Sequence, residues 1–341
     1  MYHLTSASEA RLQDIAQKSW LVENMLLIPK YEAWLHREVA VERAVSTTRI
    51  EGIGVEEPGG ETNPRLVEAA NANALRAYEF VDYLSDLRDE ALSELVVRQL
   101  NREFLHGAAA TLTPGVYRKG QNTVGAYRPP DQGDVPALMR AFAAWLREGD
   151  DHPIVAAGLA HLHLVAIHPF WDGNGRTARA LEALVLQRSD FHFRKLLSME
   201  KRYLEVRPHY FAAIERTLGT AFGDYDATPW LDFFLQMMGL EADRLIAQLT
   251  GWHHDLEALR RQGQKAGVLD RQAEAVAFLL RTGHLTRADY IEITGVSPVT
   301  ASRDLADLVA KGWLIAEGAT TSRRYAPSRF IAEALGRRLS S

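Results

Sequence analysis

The amino-acid sequence predicts a mainly α chain: an all-helical core interrupted by a small β-hairpin flap, then a winged helix-turn-helix domain. Three observations carry this. Apolar residues recur at spacings of three and four through most of residues 1–250, the period of amphipathic helices. One stretch, PGVYRKGQNTVGAYRPPDQGD within 113–134, abandons that period for Gly, Pro and short β-prone pieces. From Leu269 onward, three short helical patterns precede one alternating segment.

In chain order, helices are expected over Leu12–Leu27 and Tyr31–Val45, then a loop, GIGVEEPGGETNP (52–64), then helical patterns through Leu105. Helical periodicity returns at Pro136–Arg147 and His152–Ile167. DATPWLDFFLQMM starts another helix, with Thr228 as cap and Pro229 at the first position, where a missing N–H costs nothing. The polar stretch 251–268 reads as a connecting helix or linker. In the last region, 269–341, Thr286 and Asp289 are spaced as a capping box. Ser297 can cap the third helix, with Pro298 in its first turn and Gly312 as its stop. WLIAEGATTSRRYAPS then alternates as a hairpin. Three helices and a hairpin in this order outline a winged helix-turn-helix.

Composition excludes several classes. The chain has 341 residues, 47% of them apolar, which suits two or three globular domains. A net charge of −5 provides no global field for nucleic acid. The absence of cysteine excludes disulfides, thiolate zinc sites and cysteine nucleophiles. The polar start MYHLTSASEARLQD lacks a signal peptide's apolar core, and no apolar run approaches a membrane span. A cytoplasmic protein without membrane contact is expected.

The densest chemistry lies in IHPFWDGNGRTAR, residues 167–179. An apolar helix ends here and another begins, so Gly173, Asn174 and Gly175 stand at a helix N-terminus, where unpaired N–H groups favour an anion. Arg176 and Arg179 can each pair with phosphate. Asp172 is a hard oxygen donor suited to Mg²⁺, and His168 is a candidate general base. Such parts describe phosphoryl or nucleotidyl transfer. No Gly-Lys-Ser/Thr follows the glycines, which excludes a Walker A loop. His161 and His163 lack metal-ligand spacing and read as ordinary helix residues.

HPFWDGNGRTAR resembles, at every defining position, the Fic motif of the Fic family, and 113–135 resembles that family's flap. The resemblance implies an AMP transferase that uses ATP with Mg²⁺ on a target protein's Tyr, Thr or Ser hydroxyl, or on itself. Carried over by position, His168 is the base and Asp172 holds the metal. Gly173, Asn174, Gly175 and Arg176 hold the α- and β-phosphates, and Arg179 the γ-phosphate. Thr123, Val124 and Gly125 would align the target by strand addition, while Phe170 anchors the loop in the core. Tyr203 and Tyr210 are candidates for the adenine and ribose side.

A second motif precedes the core. In STTRIEG (46–52), Thr47 and Glu51 share a helix face and Gly52 is a natural stop. It resembles the family's inhibitory motif, in the class with an N-terminal inhibitory helix. That implies a helical region 1–110 bearing the inhibitory helix near 35–52, and a catalytic core over 111–250. Glu51 is expected to make a bidentate pair with Arg179. The alternatives are a winged-helix transcriptional regulator with a nucleotide-sensing Fic module, a de-AMPylase or a phosphotransferase. A homodimer is a further candidate.

The region 269–341 holds ten basic and eight acidic residues. Thr300, Ser302, Arg303, Arg323 and Arg324 are candidate DNA contacts, whereas Asp304 and Asp307 on the same helix are expected to repel phosphate.

Overall fold

The structure, a computed structural model, describes residues 1–54, 63–107, 113–318 and 323–334. The middle of the expected 52–64 loop lies outside them. The chain divides into two compact units, Met1–Asn24 with His36–Leu245, and Met25–Leu35 with Ile246–Ser341. The second unit thus includes a short N-terminal segment as well as the C-terminal region.

The first unit carries α1 (Ser6–Glu23), the part of α2 (Pro29–Ile50) from His36 onward, α3 (Pro64–Asp86), α4 (Glu94–Phe104), α5 (Val135–Glu148), α6 (Pro153–Ile167), α7 (Asn174–Gln187), α8 (Met199–Glu205) and α9 (Arg207–Leu218). It also takes the first part of α10 (Thr228–Ala266). Helix α6, PIVAAGLAHLHLVAI, is apolar on nearly every face, and such a helix belongs in the interior. Tyr78 and Val81 of α3, Leu100 and Phe104 of α4, Leu164 of α6 and Leu181 of α7 form the core. Each of these large side chains contributes about 1.5–3 kcal/mol through burial. Helix α10 approaches α6 at Gly158, where a Cβ would come within 2.7 Å of the Phe234 ring. Trp230 seals the contact by donating its indole N–H to the Gly158 carbonyl at 2.7 Å.

One expectation changes here and another is decided. The flap is smaller than a hairpin of two strands: Val124 and Tyr127 exchange backbone hydrogen bonds of 2.9 and 3.0 Å in one isolated bridge. Gly125 takes φ +58° inside that turn. Pro129 and Pro130 follow, and without N–H groups they cannot extend a ladder. Of the two readings of 251–268, connecting helix or linker, the structure takes the helix, which runs as far as Ala266 within α10. Trp252, Leu256 and Leu259 are buried at helical spacing, so its polar composition conceals an apolar stripe.

In the second unit, Tyr31 stacks on Trp252 with ring centroids 3.9 Å apart. Then come α11 (Asp270–Thr282), β1 (Leu285–Thr286), α12 (Arg287–Thr294), α13 (Pro298–Ala310), β2 (Leu314–Glu317), β3 (Arg324–Pro327) and α14 (Arg329–Ala334). The strands form an antiparallel sheet in the order β1-β3-β2. Strand β1 was not foreseen, since two residues are too short to show a period of two. Thr286 and Asp289 form the capping box of α12, and Ser297 Oγ accepts from Thr300 N to start α13. The two aspartates of α13 do not oppose a phosphate as the sequence suggested. Asp304 is buried, accepting from Arg271 Nε at 2.8 Å and from Tyr290 Oη at 2.9 Å. Asp307 accepts from Lys311 Nζ at 2.6 Å and Gln272 Nε2 at 3.1 Å. Among the described residues, no helix is long and apolar enough to cross a membrane.

Candidate active site

Helix α6 ends because His168 turns left-handed, with φ 50° and ψ 56°, a conformation that costs an L-residue about 1–2 kcal/mol. Arg118 compensates from the segment before the flap. Its Nε donates to the His168 carbonyl at 2.9 Å, its backbone N–H donates to Pro169 O at 2.9 Å, and its other guanidinium nitrogens reach Gly120 O and Pro130 O. One buried arginine therefore ties the flap to the loop.

The loop is also stapled from within. Asn174 Oδ1 accepts from Phe170 N and its Nδ2 donates to Phe170 O, both at 2.9 Å. Both polar atoms of the Asn174 side chain are thereby committed to the loop, which leaves its backbone N–H as the group expected to face an anion. Phe170 is buried in the core. Gly173, at φ +78°, opens α7, and a Cβ there would meet Asn101 Nδ2 at 2.9 Å. Asn101 donates to Asp172 O at 2.9 Å and accepts from Gly115 N at 2.9 Å. Neither Arg118 nor Asn101 was foreseen. A lone Asn in an amphipathic helix and a lone Arg in a Gly/Pro-rich loop carry no spacing that would single them out.

His168 is held neutral. Burial pulls its pKa down to about 4, with Arg118 adding to the depression and the Val165 carbonyl opposing it. Nδ1 lies 3.3 Å from Val165 O, so Nδ1 carries the proton and Nε2 offers its lone pair. At pH 7 the imidazole is therefore unprotonated and its Nε2 can accept a proton, with the weak basicity of so low a pKa.

The two arginines differ. Arg176 NH2 reaches both Asp172 oxygens at 3.1 Å, while its Nε is buried without a partner. A buried donor beside a helix N-terminus is suited to an anion. Arg179 is fully buried and fully answered. Nε donates to Thr47 Oγ1 at 2.8 Å, NH1 to Tyr210 Oη at 3.2 Å, and NH2 to Glu51 Oε1 at 2.5 Å and Thr47 O at 3.3 Å. The pair with Glu51 is therefore made through one carboxylate oxygen and not the expected two, because Thr47 and Tyr210 occupy the rest of the fork. Glu51 Oε1 also sits 2.6 Å from where a Cβ of Gly175 would stand, so only glycine admits it. Gly52 follows at φ +82° and turns the chain out of α2.

Glu51, His168, Gly175, Arg179 and Tyr210 line a cavity of about 120 Å³, walled by Val124, Phe211, Ile214 and Leu218. The exposed turn residues Thr123, Val124 and Gly125 lie toward its mouth only through Val124. The apolar wall of Phe211, Ile214 and Leu218 comes from α9, beside Tyr210, the candidate from that helix.

The two tyrosines assigned to adenine and ribose behave differently. Tyr203 is completely buried outside the cavity lining and donates to Glu182 at 2.9 Å, so it cannot touch a ligand there. Tyr210 does line the cavity, but its hydroxyl faces inward to Arg179 and to His161 Nε2 at 2.9 Å. His161 Nδ1 continues to Glu182 Oε2 at 2.6 Å. Burial pushes the Glu182 carboxyl up to about 8 and His161 well below its usual value. His163 bonds Tyr225 Oη at 2.6 Å, apart from this chain. Among the described residues no three His, Cys, Asp or Glu side chains gather as a metal cluster, and Asp172 stands as a single, half-exposed carboxylate.

Comparison with known proteins finds likenesses for part of this chain. Residues 91–186 match the model of the Fic/DOC family. The proteins named protein adenylyltransferase Fic from Drosophila sechellia and Drosophila melanogaster are each 41% identical to this chain over 98 residues, 28% of this chain and 20% of theirs. The match thus spans about a fifth of the length of these curated relatives. A solved Fic family protein from Desulfovibrio desulfuricans G20 shares the fold, with a TM-score of 0.64 and 20% identity over 96% of this chain and 98% of that one. Fic-1 (residues 134–508) from C. elegans gives a TM-score of 0.58 at 21% identity, covering 72% of this chain and 73% of that one. The motif loop and its two arginines therefore lie within the stretch, residues 91–186, that matches the Fic/DOC family model.

Proposed function

We propose that this chain is an autoinhibited protein adenylyltransferase, moving AMP from ATP to a Tyr, Thr or Ser hydroxyl of a target protein or of itself. The observation that carries the reading is the Glu51 carboxylate, seated over Gly175 and bonded to Arg179, beside the start of α7 and the buried Arg176 Nε. In the active state the β- and γ-phosphates take its place, with Arg179 on the γ-phosphate and the start of α7 on the others. His168 Nε2 accepts the proton of the target hydroxyl, whose oxygen bonds to the α-phosphorus. The bridging α–β P–O bond breaks, pyrophosphate leaves, and AMP stays on the target. Asp172 fits Mg²⁺ as its one hard protein donor, since this ion takes most of its ligands from phosphates and water. When bound, the ion neutralises phosphate charge.

Inhibition follows from space and charge. A nucleotide site spans about 300–1,000 Å³, and the cavity with Glu51 in it has only about 120 Å³. A triphosphate must displace the carboxylate or bind out of line with the attacking oxygen, and loss of in-line geometry suppresses such reactions severely. The second unit, with α11, β1, α12, α13, β2 and β3 in that order, is read as a winged-helix domain appended to this enzyme.

The test uses ATP labelled on the α- or the γ-phosphate with wild type, Glu51→Gly and Glu51→Gly/His168→Ala. The expected result is α-label on protein, strong only in Glu51→Gly and absent from the double variant. Transfer of γ-label makes the chain a phosphotransferase. ATP binding without any transfer makes it a nucleotide-sensing regulator, and AMP released from a modified target makes it a de-AMPylase.

A further inference from the structure

The second unit presents a basic hollow whose reading is independent of the AMP-transfer proposal. Helices α12 and α13 are joined by the three residues Gly295, Val296 and Ser297, with Gly295 at φ +67°, which is helix-turn-helix spacing. Along α13, Val299, Ser302, Arg303 and Ala306 are all exposed, at offsets of three, four and seven, and so share one face. Three of the four are small, leaving Arg303 as the long side chain on a helix face about 20 Å long by helical rise.

Beside this face lies a hollow of about 770 Å³ onto which Arg287, Ser302, Arg323 and Arg324 open. No carboxylate lines it, and among the described residues none pairs with Arg287, Arg303, Arg323 or Arg324. The acidic residues of α12 and α13 are turned elsewhere: Asp289 and Glu292 to Lys30, Asp304 to Arg271, Asp307 to Lys311. Glu317, exposed across the ladder from Arg324, is the carboxylate of the β2–β3 pair.

We infer that this unit binds double-stranded DNA, with the Val299–Ala306 face of α13 in the major groove and Arg287, Arg323 and Arg324 on the flanking phosphates. The groove, about 12 Å wide, admits one helix, and a slim face lets it seat deeply. Val299 suits a thymine methyl and Arg303 a guanine edge, while arginines without a carboxylate partner, Arg287 holding only the Ser302 hydroxyl at 3.5 Å, neutralise phosphates. An acidic peptide would use the arginines but leave the exposed α13 face without a role.

Fluorescence anisotropy of the full chain with a labelled random-sequence duplex tests this at low and near-physiological salt. Expected is binding with a dissociation constant on the order of 10⁻⁶ M at low salt, weakening steeply as salt rises. Arg303→Ala/Arg323→Ala/Arg324→Ala should lose at least tenfold in affinity and flatten the salt slope by about one for each phosphate contact removed. Ser302→Glu, a single exposed change that adds a carboxylate to the hollow, should weaken binding severalfold. Circular dichroism should find both variants folded, and Glu51→Gly should bind the duplex as wild type does. No duplex binding, unchanged binding in both variants, or equal affinity for RNA or polyglutamate overturns the proposal.

Discussion

Arginine is used in opposite ways in the two units. Arg179 in the first is buried, and Thr47, Glu51 and Tyr210 together take all of its nitrogens. Arg287, Arg323 and Arg324 in the second face an open hollow, with the nearby helix acids bound to other partners. The cavities differ accordingly, about 120 Å³ against about 770 Å³. A buried guanidinium is tolerated only when it is paired, because desolvation outweighs any gain from leaving it open. An exposed one can wait for its partner in water. On the proposed reading, Glu51 stands in for the ligand of this buried arginine and so acts as a brake.

Breaking the closed side at its chemistry gives the largest effect. In a Glu51→Gly background, adding His168→Ala should lower AMP transfer by about 10²–10⁴-fold, the range for loss of a general base. Initial rates with α-labelled ATP measure it, and a loss below tenfold would remove His168 from that role. Next comes the surrogate itself. Glu51→Gly should raise transfer on the order of 10–100-fold over wild type, since small misalignments of reacting groups cost about that much. Glu51→Gln, which keeps a weaker bond to Arg179 without charge, should fall between the two. If Gln equals Gly, charge alone is the brake.

A structural prediction sharpens the role of the polar supports. Asn101→Ala leaves Gly115 N and the Asp172 carbonyl without their partner, at a cost of about 1–3 kcal/mol. A thermal melt should fall by several degrees.

The smallest effect concerns the buried chain behind Arg179. Glu182 titrates near 8 when folded and near 4.5 when unfolded, so the unfolded state loses its proton first. Its contribution to stability is full below pH 4.5 and declines as pH rises to 8. His163 and His168, depressed to about 4, act with the opposite sign, but their contribution is constant above about pH 6.5. Between pH 6.5 and 8 the slope from these groups therefore belongs to Glu182, at about 1 kcal/mol per pH unit. Glu182→Gln should flatten the melting temperature against pH in that window, and an unchanged slope would place the titrating group elsewhere. By the same depression of His168, transfer by Glu51→Gly should show no fall near pH 6.5.

Much of this molecule was legible in one dimension. The apolar face of each long helix, the caps Thr286 and Ser297, the hairpin near the C-terminus and the order of elements all follow from local rules of spacing and capping. The motif loop was legible too, since its base, acid, glycines and arginines lie within a dozen consecutive residues. The extent of α10 stayed open where Trp252, Leu256 and Leu259 stand sparsely among charges, and the flap was drawn too large where two prolines forbid a ladder.

The sequence by itself determined which groups are present and which lie on one helix face: His168, Asp172, Arg176 and Arg179 at one helix start, Thr47 and Glu51 one turn apart. The tertiary structure alone decided what each group meets. Glu51 and Arg179, 128 residues apart, come together only when α2 packs beside α7. Burial then decides the rest. It leaves Tyr203 too deep to touch a ligand, draws Asn174 into holding its own loop, and turns Asp304 away from the exposed face of α13. These outcomes depend on solvent exclusion and on partners distant in the chain, and a pattern of neighbouring residues encodes neither.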